Sequence, residues 1–569
     1  MLLLAQFVAP PLQPGPVRLP ETSPLQRPRP GAKEPPIQLL EGQPLESAPG
    51  QGAPRPAPSP QPATSPQPGV RLPSIEGNHI FSKPDLDDLL KACATNNRTT
   101  TLQACAASLT AHAINKGYIN SRFYPNRDPG KFSLELVEGR IAEVRLSSNN
   151  AQLIQRLRPL LRPLQGQVLH LPSLQVQLNA LRRYPGVGQV KASINRLGSD
   201  ATLAVLSLKI EALPPKIDGE LTLRNDGNNG TGEARATALA SQNSLFHYGD
   251  NLFVYAEVDG TRTPELGTFL GSISYAYPLS NQLQVLGSFG YSSRNLVEFS
   301  GQLHNASYRQ LQGYGQLEWT FKESLSQRWY GFAGLSLNRT DSYLSGQAAP
   351  LLDLFTNSWA SSGYGRFGLG ASGFADKLAW NANVYVLQGI SGLSDPSHLN
   401  SLAYVGINPG TARAYGGSVN LSALLLPRLQ FNLRGAGQIA ENPLPSEMGF
   451  TLGSDTGLRG LPGQLISGDS GYLATAELAW SLWQKGKQAV QLVPFIGYGN
   501  VGSNRTVQGQ SISFNDGIGS GGLLARWIAS NHWLLELGWV NQFSAENNLG
   551  SWNNWLLGNG LYTKVQYRF

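Results

Sequence analysis

The stretch GTFLGSISYAYPL (Gly267–Leu279) alternates bulky apolar residues with small polar ones. In an extended strand, successive side chains point to opposite faces, so each set falls on a face of its own. The apolar set is Phe269, Ile273, Tyr275 and Tyr277, and the polar set is Thr268, Ser272 and Ser274. An apolar face with aromatics opposite a polar face is typical of a strand between lipid and a polar interior.

The same alternation continues through the C-terminal part of the chain. It recurs in QLQVLGSFGY (Gln282–Tyr291) and GQLEWTFKE (Gly315–Glu323), and all 11 tryptophans lie from Trp319 onward. The 354 residues of 216–569 would form roughly 15–18 strands at about 20–24 residues per strand and connection. We therefore predict a transmembrane antiparallel β-barrel over residues 214–569, closed by the final strand LYTKVQYRF. A soluble β-sandwich, which also alternates, is the less favoured alternative.

The composition agrees with a barrel but does not decide the fold alone. Charged residues are 14% of the chain, against about 25% in an average soluble protein. No run of 18 apolar residues occurs, so a membrane-spanning helix is not predicted. The net charge of +7 points only weakly to nucleic acid. Because no nucleic-acid-binding motif is present, we predict no nucleic-acid partner.

Residues 1–73 form a segment of low complexity that contains 20 of the chain's 39 prolines. Proline disfavours helix and strand interiors, so we predict a disordered or semi-rigid linker. The first residues, MLLLAQFVAP, are apolar but have no preceding Lys or Arg. They resemble only part of a secretory signal peptide, and the sequence leaves open whether they are a remnant of one.

Residues 74–213 carry two copies of one pattern, in the order strand, helix, helix, strand, strand. The boundaries predict one domain at 74–141 and a second at 142–213. The elements of the first copy include a helix opening at Lys83, a helix after Thr101, and the strands Gly117–Tyr124 and Lys131–Gly139. Those of the second are the strand Arg140–Ser148, the helices Ala151–Leu161 and Ser173–Tyr184, and the strands Val187–Arg196 and Ala201–Ile210.

The segment LRGAGQIAENPLPSEMGFTLGSDTGLRGLPGQLISGDSGYLATAEL (Leu433–Leu478) resembles the signature region of a known family. This family comprises the two-partner secretion outer-membrane transporters of the ShlB, FhaC and HecB type, within the BamA-related superfamily. The two α+β repeats are similar to its POTRA domains. The matching positions are Gly437, Gln438, Leu444, Glu447, Phe450, Leu452, Gly453, Leu458, Arg459, Gly460, Gly468, Asp469, Gly471, Tyr472, Glu477 and Leu478. NSLFHYGDNL (Asn243–Leu252), SYAYPL (Ser274–Leu279) and VPFIGYG (Val493–Gly499) extend the resemblance, which spans about residues 74–569.

The resemblance implies a barrel of 16 strands, with an extracellular loop 6, near residues 454–472, folded into the lumen. The family motif on this loop corresponds to Leu458, Arg459, Gly460 and Leu461. The family arginine meets an acidic residue of an F-x-D motif on the inner wall. Here that motif reads Phe495-Ile496-Gly497, without the acid. Since a confined guanidinium needs a carboxylate partner, Asp469 and Glu477 are our candidates.

The resemblance also implies the function of an outer-membrane pore that exports one large β-helical exoprotein without ATP. The client would add a strand to a POTRA sheet edge. Residues 142–213 carry nine Lys or Arg against three acids, which predicts a basic POTRA face for an acidic client or for lipid headgroups. The residues of this predicted face are Arg156, Arg158, Arg162, Arg182, Arg183, Lys191 and Arg196. An ordinary solvated surface is the alternative.

Cys93 and Cys105 fall on the apolar stripes of adjacent predicted helices. A helical hairpin can bring such positions together, and the periplasm favours oxidation, so we predict a disulfide. Two reduced core cysteines are the alternative.

The chain has no HExxH, GxSxG or P-loop motif and no metal-ligand spacing of its seven His. We predict no enzymatic activity, metal or cofactor. A BamA-like insertase, which usually carries more POTRA repeats, and a passive porin remain the alternative functions.

Overall fold

The chain divides into two compact units, one ending at Pro214 and the other starting at Pro215. The computed structural model describes residues 39–41, 73–87, 90, 102–126, 128, 132–182, 184, 186–261, 265–298, 306–344, 347–348, 359–375, 377–404, 406–507, 510–530, 532–543 and 551–569. Within these residues, no helix is both long enough and apolar enough to cross a membrane. The linker predicted for residues 1–73 lies almost entirely outside the described residues.

The first unit contains two small sheets with helices. Its strands are Leu39–Glu41 (β1), Ser74–Glu76 (β2), Arg122–Pro125 (β3), Ser133–Val137 (β4), Arg140–Ser148 (β5), Val187–Leu197 (β6) and Asp200–Ala212 (β7). Its helices are Leu102–Asn115 (α1), Ala151–Leu161 (α2) and Leu171–Arg182 (α3), and residues 83–87 are also helical. The strand orders are β2-β4-β3 and β1-β6-β7-β5.

Helix α2 illustrates how the sequence specifies these elements. The Asn150 side chain accepts a hydrogen bond from the backbone N–H of Leu153 at 3.0 Å, which caps the helix at its N-terminus. Leu153, Leu157 and Leu161 follow at a spacing of four residues and are all buried. The predicted bounds of α2 and β5 agree with those observed.

Other predicted boundaries shift. Strand β3 begins only at Arg122, because Gly117–Ser121 form a turn in which Gly117 has a φ of +96°. Helix α3 covers Leu171–Arg182 rather than Ser173–Tyr184. Because β5 starts at Arg140, the predicted domain boundary between residues 141 and 142 falls inside that strand.

The second unit is a closed antiparallel barrel, as predicted. The described residues contain sixteen long strands that complete the wall, because the last strand pairs with the first. They are Ile217–Arg224 (β8), Ala234–Asn243 (β9), Asn251–Gly260 (β10), Leu266–Pro278 (β11), Leu283–Asn295 (β12), Ser307–Glu323 (β13), Gln327–Leu344 (β14), Trp359–Phe374 (β16), Leu378–Gly389 (β17), Arg413–Leu426 (β18), Leu429–Ala440 (β19), Ser470–Lys485 (β22), Gln488–Val507 (β23), Gln510–Ala529 (β24), Trp533–Phe543 (β25) and Leu561–Arg568 (β26). The connections add the short strands Gln347–Ala348 (β15), Phe450–Leu452 (β20) and Ile466–Gly468 (β21), and the helix Pro396–Tyr404 (α4).

The alternation read from the sequence sets the two faces of this wall. Phe289 and Trp319 lie on the outer face, where each is 55% exposed. Ser274 and Gln312 lie on the opposite face and are buried. A barrel with exposed aromatics outside and polar residues inside is the arrangement that a lipid bilayer stabilises.

Candidate functional site

The connection between β19 and β22, residues 441–469, is folded against the inner wall and carries the hairpin of β20 and β21. We call this connection loop 6. Gly460 lies beside β25 with a φ of +80°, and a Cβ placed on it would come within 2.2 Å of Val540 Cγ1. Only glycine fits this close approach in a left-handed conformation. The backbone N–H of Gly463 donates to the carbonyl of Gly227 at 2.9 Å, between β8 and β9.

Apolar residues of the motif hold the loop in place. Leu458 and Leu461 are fully buried in one cluster that includes Val540 of β25 and Trp552 and Trp555 of the connection between β25 and β26. Burying a leucine side chain contributes about 1.5–3 kcal/mol. The motif therefore docks by packing as well as by charge.

Arg459 joins the loop to two strands that are far apart in the sequence. Its Nε donates to Glu477 Oε1 of β22 at 2.8 Å, and its Nη1 donates to Glu536 Oε2 of β25 at 2.8 Å. The guanidinium also lies over the ring of Tyr562 on β26, 5.8 Å from the centroid. The Arg459 carbonyl accepts a hydrogen bond from Ser520 Oγ at 2.5 Å. The guanidinium thus donates one charge-assisted hydrogen bond to each of two carboxylates, while one of its faces lies over an aromatic ring.

The two acids are not equivalent. The Glu536 side chain is 2% exposed, and its second oxygen accepts from Arg526 Nε at 2.6 Å. The Glu477 side chain is 16% exposed. Glu536 is therefore a buried carboxylate that accepts from two arginines, whereas Glu477 is partly exposed to solvent.

Gly497 faces the motif rather than leaving a gap beside it. A Cβ at this position would meet Thr475 Oγ1 at 3.0 Å and Leu458 Cδ2 at 3.1 Å. The space that an aspartate side chain would need is therefore taken by Leu458. The acidic partners of Arg459 come from β22 and β25 instead of from β23.

Of the two candidate partners named from the sequence, the structure brings only Glu477 to Arg459. Asp469 accepts instead from Arg505 Nη2 at 3.2 Å and from the backbone N–H of Leu444 at 3.3 Å. Glu536 was missed by the sequence analysis. Its signal was a single carboxylate at an inward position of the strand WLLELGWVNQF (Trp533–Phe543), between two outward leucines.

A second ion pair of opposite polarity also holds loop 6. Asp455 of the loop accepts from Arg235 Nη1 of β9 at 2.6 Å. Arg235 is fully buried, and its Nη2 donates to Glu257 of β10 at 2.5 Å. The loop thus presents an acid to a wall arginine on one side and an arginine to wall acids on the other.

The other predicted site residues lie in the first unit. Cys105 is disulfide-bonded, and its predicted partner Cys93 lies outside the described residues. Of the residues predicted to form a basic face, Arg156, Arg158 and Arg162 belong to α2 or follow it, Arg182 ends α3, and Lys191 and Arg196 belong to β6. Lys191 lines the open surface of the sheet. Arg183 lies outside the described residues.

The family described as haemolysin secretion/activation protein ShlB/FhaC/HecB matches residues 208–522, more than half of the chain. The chain belongs to this family. The family predicted from the sequence, that of the ShlB, FhaC and HecB type, is therefore confirmed. The barrel is an outer-membrane barrel, and the POTRA region is periplasmic.

Two curated relatives of this family member are both called outer membrane transporter CdiB. The one from Dickeya dadantii (strain 3937) is 27% identical over 25% of the chain, and the one from Escherichia coli is 23% identical over 68% of it. The chain spans 25% and 64% of the length of these relatives.

Among solved structures, CdiB from Escherichia coli aligns with a TM-score of 0.56 at 17% identity, over 90% of this chain and 93% of that one. CdiB from Acinetobacter baumannii aligns with a TM-score of 0.52 at 17% identity, over 89% and 91% of the two chains. These likenesses support the fold.

Proposed function

We propose that this protein is a pore that recognises one partner exoprotein in the periplasm and translocates it to the cell surface. The observation that carries the proposal is loop 6, held on the inner wall by Arg459 between Glu477 and Glu536. A charged residue placed inside a barrel is costly unless it is paired, and the pairing of Arg459 on two sides supports a role for the docked loop in the lumen. That role is to keep the loop in a transport-competent position.

The POTRA domains, at about residues 74–141 and 142–213, receive the client by strand addition. Each of their sheets has edge strands with main-chain groups available for pairing. Strand β1 of this chain lies parallel to β6, with Leu40 opposite Ser193, and is itself an added strand at that edge. The same edge can accept an extended client segment of comparable length in place of β1.

The charge of the second POTRA sheet favours an acidic client. Lys191 of β6 lies directly opposite Lys209 of β7, and both line one open surface together with Arg145. Like charges opposite one another are unfavourable in a sheet, and an acidic segment relieves the repulsion. Arg145 is already paired with Glu143 at 2.8 Å, so the two lysines are the main attraction. Raised salt should weaken client binding.

Export proceeds without ATP, driven by progressive folding of a β-helical client outside the cell. The proposal rests on the absence of a nucleotide-binding motif in the sequence. Once the client is known, its uptake into liposomes that contain only this protein tests the idea. A requirement for ATP there would refute it.

Depletion of the protein tests the proposed function as a whole. The periplasmic and surface proteins are compared by quantitative mass spectrometry with and without it. We expect one large secreted protein to move from the surface to the periplasm while other outer-membrane barrels keep their abundance. A general loss of barrels would instead favour an insertase, and no redistribution of any protein would favour a passive porin.

A further inference from the structure

The closure of the barrel between its last strand and its first is short. In the ladder, Lys564–Arg568 of β26 pair with Glu220–Arg224 of β8, and backbone hydrogen bonds extend the pairing by Gly219 with Phe569 and Asn225 with Thr563. By contrast, the whole of β23 pairs with the whole of β24, from Gln488 to Val507. In the described part of the wall, no other ladder between neighbouring long strands is as short. We call this junction the seam.

At the end of the ladder, the Asn225 side chain reinforces the long backbone hydrogen bond of 3.4 Å from the Asn225 N–H to the Thr563 carbonyl. The Asn225 amide donates to the carbonyl of Leu561 at 2.7 Å and accepts from the backbone N–H of Thr563 at 2.8 Å. Because backbone hydrogen bonds are the main adhesion between strands, a short ladder opens at a lower free energy than its neighbours. The seam therefore depends on contacts other than its own ladder.

Loop 6 contacts the wall on both sides of this seam. On the side of the last strands, Arg459 binds Glu536 of β25 and lies over Tyr562 of β26, and Gln542 of β25 donates to the Gly460 carbonyl at 3.2 Å. On the side of the first strands, Asp455 binds Arg235 of β9 at 2.6 Å. The Gly463 N–H binds the carbonyl of Gly227, just after β8.

We propose that loop 6 is a brace across the seam, in which Asp455 and Arg235 are positioning residues on one side as Arg459 and Glu536 are on the other. Because the two ion pairs have opposite polarity, the loop can dock in only one orientation. The loop acid cannot pair with Glu536, and the loop arginine cannot pair with Arg235, so a reversed or shifted docking leaves like charges buried together. Loss of either ion pair should loosen the seam as well as the loop.

Hydrogen–deuterium exchange of the full-length protein in lipid nanodiscs tests this proposal without any client. The variant is Asp455→Asn, which removes the loop charge and leaves Arg235 its bond to Glu257. We expect amides of residues 217–224 and 561–569 to exchange about tenfold faster, the equivalent of about 1.4 kcal/mol. Amides of β13 and β14, far round the wall, should not change.

Two further variants make the comparison specific. Arg505→Gln breaks a further loop 6 ion pair, in which Arg505 of β23 binds Asp469 of the loop, away from the seam. It should change exchange in residues 441–469 and leave the seam unchanged. Asp455→Glu keeps the charge and should restore most of the protection, and it remains informative if Asp455→Asn fails to assemble. Unchanged seam exchange in Asp455→Asn, with faster exchange confined to the loop, would overturn the proposal. Equal effects of Asp455→Asn and Arg505→Gln on the seam would overturn it too.

Discussion

Replacing Glu536 by glutamine should release loop 6 from the wall more strongly than the same change at Glu477. The Glu536 carboxylate accepts from Arg459 at 2.8 Å and from Arg526 at 2.6 Å, and its side chain is 2% exposed. Glutamine keeps one acceptor oxygen but turns an N–H₂ group toward the second guanidinium. Arg459 then keeps Glu477, but the buried negative charge that it shared with Arg526 is gone.

The magnitude follows from burial. Breaking a buried ion pair by removing one partner costs about 3–5 kcal/mol. At Glu477 only the bond to Arg459 Nε is lost, at a side chain that is 16% exposed. A single hydrogen bond to a charged group contributes about 1.5–3 kcal/mol, and solvent reduces this figure. The difference between the two variants is thus about 2 kcal/mol, or roughly a 30-fold difference in the population of undocked loop.

The assay is hydrogen–deuterium exchange of residues 453–468 in the assembled barrel, with heat-modified mobility on gels as the check for assembly. Glu536→Gln should raise exchange of the loop well above that of Glu477→Gln. Glu477→Asp and Glu536→Asp, which keep the charge, are the matched controls. Equal exchange in the two glutamine variants would refute the assignment of Glu536 as the main anchor.

Three further changes have defined outcomes. Gly497→Asp should crowd Leu458, which lowers the stability by about 1–3 kcal/mol and with it the melting temperature. Adding Leu458→Ala to this variant should relieve the crowding. A stabilising effect of Gly497→Asp alone would contradict this packing. Phe289→Arg, on the outer face, should lower the free energy of unfolding by about 2–4 kcal/mol, measured by urea unfolding in lipid vesicles. Phe289→Leu should leave this free energy nearly unchanged. Equal losses in the two variants would contradict the assignment of the lipid face. Thiol titration should find no reactive cysteine until reductant is added, after which the periplasmic unit loses about 3 kcal/mol; labelling of Cys105 in the untreated protein would contradict the disulfide.

Local alternation explains why so much of the fold was predictable. In β11, β12 and β13 the period of two assigns each side chain to lipid or lumen, and the structure follows it. In α2 the cap at Asn150 and the leucine spacing define the helix within one segment. These signals need no knowledge of distant residues.

The contacts of the candidate site join residues that are far apart in the sequence, so local sequence patterns do not predict them. Glu536 lies 77 residues beyond Arg459, and the two meet only because closing the barrel returns β25 to the loop. Asp455 and Arg235 are 220 residues apart. The seven predicted basic residues were grouped by their closeness in sequence, and the described ones belong to α2, α3 and β6 or directly follow α2. Sequence reasoning found the motif and one of its partners, whereas the other contacts follow from strand order.

Secretion by Arg459→Ala tests the central claim most directly. The exported client is quantified at the cell surface and in the periplasm, alongside barrel assembly, for Arg459→Ala, Arg459→Lys and the unaltered protein. The account predicts a barrel that assembles normally, a client retained in the periplasm with Arg459→Ala, and partial export with Arg459→Lys, which keeps the charge without the two-pronged geometry. Normal export by the assembled Arg459→Ala variant would contradict it.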